Sequence, residues 1–140
     1  MHHVALTVTD VDSSVEWYER IFDIRQQAEI PHDGGVGKLL SNEDRTLMIV
    51  LHHHDANDGA LFSERLTGLD HVGLAVTTRR ELEDWERHLD SNGLVLTDEA
   101  AKPLTRSPII DAPYASVIVF RDPDNIQLEL FAPAATRGSV

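Results

Sequence analysis

Residues 3–9 read HVALTVT and residues 71–77 read HVGLAVT. Laying residues 3–24 over 71–92 without a gap matches His3 with His71, Val4 with Val72, Leu6 with Leu74, Val8 with Val76, Thr9 with Thr77 and Trp17 with Trp85. Self-similarity at a fixed offset marks an internal duplication. In each copy apolar residues first alternate, the period of a strand. They then recur four apart, Trp17 with Ile21 and Trp85 with Leu89, along one face of a helix. Asp10 and Thr78 stand where helix N-caps belong, and Thr78 with Glu81 forms a capping-box pattern. The chain therefore opens twice with a strand followed by a helix.

Working outward, three more strand-like runs follow each helix: 24–30, 36–41 and 46–52, then 94–98, 115–121 and 125–131. Each half reads β-α-β-β-β, which places the chain in the α+β class. The expected organisation is one domain over 1–140: a first module 1–55, a linker 56–67, a second module 68–132 and a tail 133–140. PHDGGVG (31–37) and RDPDN (121–125) carry the turn chemistry between strands, Pro123 sitting where its fixed φ suits a tight hairpin. The stretch AAKPLTRSPIIDAPY (100–114) holds three prolines and predicts an irregular insertion, a candidate lid.

Composition narrows the function. With 140 residues, 41% of them hydrophobic, the chain buries a real core. Its 24 acidic against 12 basic residues give a net charge of −12, which opposes nucleic acid and anionic membranes. No apolar run approaches the ~20 residues of a membrane span, and no secretory leader is visible, so a cytoplasmic protein is the expectation. Cysteine is absent, so a metal here has to rest on histidine and carboxylate.

Successive side chains of a strand face opposite sides. Val4, Leu6 and Val8 then pack on the helix, leaving His3, Ala5 and Thr7 opposite; the second copy repeats this with Val72, Leu74 and Val76 against His71, Gly73 and Ala75. In NIQLELF (125–131), Ile126, Leu128 and Leu130 form the apolar face, and Gln127, Glu129 and Phe131 stand on the other. A carboxylate in mid-strand needs a partner, because burying it alone is costly. Two histidines in matched register, small neighbours and a strand glutamate predict a metal site made of His3, His71 and Glu129 beside a cavity.

HHVALTVTDVDSSVEWYERIF (2–22), LDHVGLAVTTRRELEDWERHL (69–89) and RDPDNIQLELF (121–131) together resemble the vicinal oxygen chelate superfamily of glyoxalases, bleomycin-resistance proteins and extradiol dioxygenases. The resemblance implies a cup-shaped mixed β-sheet built from the two βαβββ modules, with the helices on its outer face. It implies metal ligands at His3, His71 and Glu129, a pocket lined by Ala5, Thr7, Met48, Val50, Gly73, Ala75, Gln127 and Phe131, a small-molecule substrate and a homodimer. Aligning IVLH (49–52) with LELF (128–131) puts Val50 where glyoxalase-type relatives carry a fourth ligand, and valine cannot coordinate. Two histidines and one carboxylate suit Fe2+ or Mn2+, with Zn2+ or Ni2+ as alternatives. The implied activity is ring-cleaving, extradiol-type dioxygenation of a substrate that chelates the metal through adjacent oxygens. A glyoxalase-type lyase or isomerase and a metal-free drug-sequestering protein are the alternatives.

His52 lies two residues beyond Val50, about 6.7 Å along the strand, too far to replace the missing ligand, and is the candidate acid–base group. The run HHHD (52–55) otherwise reads as a solvated strand end, and His2 as an exposed residue pointing away from His3. Arg106 and Tyr114 are candidates to reach over the pocket mouth from the insertion.

Overall fold

The computed structural model describes residues 1–97 and 102–135. Two compact units, Met1–Ala60 and Leu61–Val140, each hold one mixed, open sheet with one helix.

The first unit runs β1 (Val4–Thr7), α1 (Val11–Phe22), β2 (Arg25–His32), β3 (Gly35–Ser41) and β4 (Met48–His54). Its sheet order is β1-β4-β3-β2, with β1 parallel to β4 and the remaining pairs antiparallel. Asp10 caps α1 by accepting the Ser13 N–H at 3.0 Å. Trp17, Tyr18 and Ile21 are buried against the sheet with Leu6, Ile49 and Leu51, the face predicted from alternation. The strand over 46–52 was expected to end at His52; β4 instead continues through His54. The three histidines of HHHD are strand and Asp55 begins the turn: His52, His53 and His54 pair with Gly37, Val36 and Gly35 across the hairpin.

The second unit runs β5 (Val72–Ala75), α2 (Arg79–Ser91), β6 (Val95–Leu96), β7 (Thr105–Arg106), β8 (Ile110–Ala112), β9 (Ala115–Arg121) and β10 (Gln127–Pro133). Its order is β5-β10-β9-β7-β6, with β8 pairing β9. Thr78 caps α2, and Glu81 reaches back to the Thr77 N–H at 2.9 Å, closing the predicted box one residue earlier than drawn. Leu82 and Leu89 are fully buried with Leu128 and Leu130, whereas Trp85 is only half-buried.

The expected lid contributes two short strands, β7 and β8, and is otherwise turn and irregular chain among its described residues. Pro103 precedes β7, Pro108 lies between β7 and β8 and Pro113 between β8 and β9, so their missing N–H groups interrupt no ladder. Residues 100–101 of that stretch lie outside the described residues. Part of the expected linker is also fastened. The Phe62 N–H donates to the Asp124 carbonyl at 2.8 Å, and Glu64 pairs with buried Arg121. No described helix is long and apolar enough to cross a membrane.

Candidate functional site

His71 immediately precedes β5, and Glu129 lies mid-strand in β10 directly across the parallel ladder from Gly73. Gly73 lies beside the carboxylate: a Cβ there would stand in ordinary contact with Glu129 Oε1, 3.9 Å away. His71 Nε2 is 4.0 Å from Glu129 Oε1, and Glu129, with 23% of its side chain exposed, makes no hydrogen bond among the described residues. The other ring nitrogen is taken, since His71 Nδ1 donates to Asp70 Oδ1 at 2.7 Å. An ionised carboxylate only accepts, so Nδ1 carries a proton, and Nε2 is the ring nitrogen turned toward Glu129.

Asp70 is the residue that sequence reading missed. It stands one position before His71, as His2 stands before His3, so the repeat alignment could have singled it out. It is held in turn. Gln127 Nε2 donates to Asp70 Oδ1 at 3.3 Å, and Gln127 Oε1 accepts from Arg121 at 2.8 Å. Arg121 is buried and makes paired contacts of 2.9 and 3.0 Å with Glu64. Those contacts hold the Glu64 carboxyl down to about 2. Gln127, expected as pocket lining, is thus part of this chain of contacts, while Gly73 and Ala75 are exposed and Phe131 half-buried.

In the first unit His3 is exposed. Its Nδ1 lies 2.8 Å from His2 Nδ1, so His2 contacts His3 rather than pointing away from it. Register confirms the face assignment: Ala5 pairs with Val50 and Thr7 with His52 across β1 and β4. Ala5 stands two residues after His3 as Gly73 stands two after His71, so Val50 occupies the place in its ladder that Glu129 occupies in the other. Val50 is buried.

Ala5, Leu6, Thr7, Ile30, His32, His52 and His54 line a cavity of about 500 Å³; Met48 and Val50 share the sheet face without lining it. His52 Nδ1 is 3.2 Å from His32 Nε2, and the rings of His32, His52 and His54 lie 5.2–5.9 Å apart between centroids. Glycine makes this cluster sterically feasible: a Cβ on Gly37 would stand 2.7 Å from His52 Cε1, and one on Gly35 2.7 Å from His32 Cε1. Burial first, then the neighbouring imidazoles of His32, His54 and His3, lower the His52 pKa and favour the neutral ring. His32 and His54 were not foreseen, because their convergence depends on β2 and β4 flanking the GVG of β3.

Of the two candidates in the insertion, one is tied down. Arg106 is buried and bound to Asp90 at 2.6 and 3.0 Å and to Glu86 at 2.9 Å, so it ties β7 to α2 and does not reach a pocket mouth. Tyr114 is 73% exposed. A larger groove of about 760 Å³, lined by Asp23, Arg25, Ser41 and Asn42 among others, contains no histidine, and its Arg25 is paired with Asp23.

Among the described residues no group of three or more His, Asp or Glu side chains is gathered to hold a metal ion. What the second unit gathers is a pair, His71 with Glu129. The pair fits a divalent metal in donor chemistry: an imidazole held at Nδ1 by one carboxylate, its Nε2 facing a second whose side chain makes no hydrogen bond among the described residues.

Residues 1–130 match the sequence model of the Glyoxalase/Bleomycin resistance protein/Dioxygenase superfamily. No curated protein sequence matches the chain. Among solved structures, a glyoxylase/bleomycin resistance protein/dioxygenase domain from Frankia sp. EAN1pec is 30% identical, over 98% of this chain and 93% of that one, with a TM-score of 0.83. A glyoxalase family protein from Enterococcus faecalis is 18% identical over 94% and 95%, TM-score 0.70. The fosfomycin resistance protein FosX from Listeria monocytogenes is 17% identical over 96% and 91%, TM-score 0.68. A variant of it was solved with Mn(II) and a dihydroxypropylphosphonic acid. The last two likenesses concern the fold.

Proposed function

Because the chain belongs to the Glyoxalase/Bleomycin resistance protein/Dioxygenase superfamily, we propose that it is a metal-dependent enzyme acting on a small substrate with two adjacent oxygens, ring-cleaving dioxygenation being the first reading. The observation that carries this is the His71–Glu129 pair, Nε2 and Oε1 4.0 Å apart, with Nδ1 of His71 held by Asp70 so that Nε2 is the nitrogen turned to the carboxylate. His3 is the third ligand that the family pattern assigns. Two imidazoles and one carboxylate suit Fe2+ or Mn2+. When bound, such a metal acts as a Lewis acid on the substrate oxygens.

The chain's own residues divide the remaining work. Val50 supplies no donor where its ladder counterpart Glu129 does, which favours the three-ligand arrangement over a four-ligand glyoxalase site. Asp70 holds the His71 ring. His52, neutral and facing a cavity, is placed to accept a proton from a substrate hydroxyl. That same residue favours a second reading, proton transfer of the glyoxalase type, in which dioxygen takes no part.

The test has two stages. Anaerobic titration with Mn2+ and Fe2+ is expected to give stoichiometric binding that is lost in His71→Ala and Glu129→Gln. The iron-loaded protein is then offered catechol, and dioxygen uptake is followed. Uptake supports the first reading; its absence with binding intact moves the proposal to proton transfer, and failure of the parent to bind either metal overturns both.

A further inference from the structure

We infer that Asp70 is a positioning residue that selects Nε2 as the binding nitrogen of His71, and that Gln127 and Arg121 hold Asp70 in that role. This rests on reading His71 as a metal ligand and adds to it a cause for the ring's orientation.

An imidazole free in water distributes its proton between two nitrogens and favours Nε2, so a histidine that must bind through Nε2 needs a partner that draws the proton to Nδ1. Asp70 Oδ1 is that partner at 2.7 Å. Yet the Asp70 side chain is 68% exposed, and an exposed carboxylate rotates freely unless something fixes it. The fixing contacts come from the sheet. Gln127 is the cross-strand neighbour of Arg121, and its amide is aligned by Arg121 at 2.8 Å so that its N–H groups face Asp70. Arg121 is itself immobilised by two contacts to Glu64 and one of 3.2 Å to the Asn125 carbonyl. The order Glu64, Arg121, Gln127, Asp70, His71 is thus an unbroken line of hydrogen bonds from a buried guanidinium to the metal-facing ring. Each member has one orientation that satisfies both neighbours. The amide of Gln127 cannot flip without setting its N–H groups against Arg121, and Asp70 offers only acceptors to His71.

The experiment uses the full chain without metal, labelled with 15N, at about pH 8, where imidazoles are neutral. Long-range 15N–1H spectra report which ring nitrogen of His71 is protonated. The parent is expected to carry the proton on Nδ1. Asp70→Ala is expected to move it to Nε2 while the circular dichroism and melting temperature stay unchanged, since Asp70 is exposed. Its Mn2+ affinity should fall about 10- to 100-fold. Asp70→Asn, whose carbonyl oxygen still accepts, should keep the parent tautomer and recover part of the affinity. Gln127→Leu, which releases Asp70 and also removes the 2.8 Å contact to Arg121 while leaving the Arg121–Glu64 pair in place, should give a mixture of tautomers. An Asp70→Ala spectrum identical to the parent's overturns the inference, as does a switched tautomer with undiminished affinity. If His71→Ala itself binds Mn2+ like the parent, the metal reading falls and the inference with it. If His71→Ala loses Mn2+ while Asp70→Ala does not, the inference alone falls.

Discussion

The first unit opens HHVALTVT (2–9) and the second DHVGLAVT (70–77), on strands that pair in parallel with the last strand of their own sheet. The frames agree and the chemistry does not. Where the second unit sets an acceptor-only carboxylate against its histidine, the first sets His2, whose Nδ1 meets His3 Nδ1 at 2.8 Å and either donates or accepts. Where the second has Glu129 in the last strand, the first has Val50. In place of that carboxylate the first unit gathers imidazoles, seated over glycines on the neighbouring strand. The two units share what packs on the helices and differ on the opposite faces, one carrying a histidine–carboxylate pair and the other a cluster of imidazoles.

The largest expected effect tests the shared frame. Trp17 is 3% exposed and Trp85 half-buried, so Trp17→Ala should cost about 3–5 kcal/mol and Trp85→Ala clearly less. Equal shifts in urea midpoints would mean that the helices pack alike and that the asymmetry seen at Trp85 is without weight. Next comes Val50→Glu, which restores to the first ladder the carboxylate of the second. Without metal it should destabilise by about 3 kcal/mol, the order of a buried unpaired charge. With Mn2+ it should bind at least about tenfold tighter than the parent, or about 1.4 kcal/mol. Lower stability with unchanged Mn2+ affinity would separate Val50 from the metal altogether.

A smaller effect belongs to the second unit alone. Glu64 has its folded pKa depressed to about 2 from 4.5 by Arg121, so the folded state binds its proton more weakly than the unfolded one. Its contribution is present above about pH 4.5 and is lost as pH falls toward about 2. Glu64→Gln should therefore lower stability by about 1–2 kcal/mol at neutral pH and melt with a flatter acid limb than the parent. Parallel acid limbs would contradict the pairing. The smallest effect contrasts the two openings directly. His2→Ala should weaken Mn2+ binding less than Asp70→Ala, because an imidazole partner, unlike a carboxylate, does not only accept and so does not select a tautomer. An equal loss would erase the distinction drawn between them.

Much of this was legible in the sequence because it rests on period and register. Alternation alone put Leu6, Val8, Leu128 and Leu130 toward the helices and Thr7 and Glu129 away from them, and aligning IVLH with LELF under the family resemblance paired Val50 with Glu129 in advance of any ladder. What escaped depends on contacts between strands distant in sequence. His32 meets His52 only because β3 between them carries Gly35 and Gly37, and nothing local to either histidine announces it. Arg106 looked available because it sits in a proline-rich stretch, whereas Asp90 and Glu86 of α2 hold it from 16 and 20 residues upstream. The continuation of β4 through His54 was hidden by the polarity of HHH, which tertiary pairing overrides.

The central claim is that the second unit's His71 and Glu129 bind a divalent metal. Anaerobic calorimetric titration of Mn2+ into the parent, His71→Ala, Glu129→Gln and the cavity variant His52→Ala tests it most directly, on protein made without a polyhistidine tag. The account predicts one equivalent bound by the parent and by His52→Ala, with binding lost in His71→Ala and Glu129→Gln at unchanged melting temperature. Full binding in both His71→Ala and Glu129→Gln, with loss in His52→Ala instead, would contradict it and place the metal among the imidazoles of the first unit.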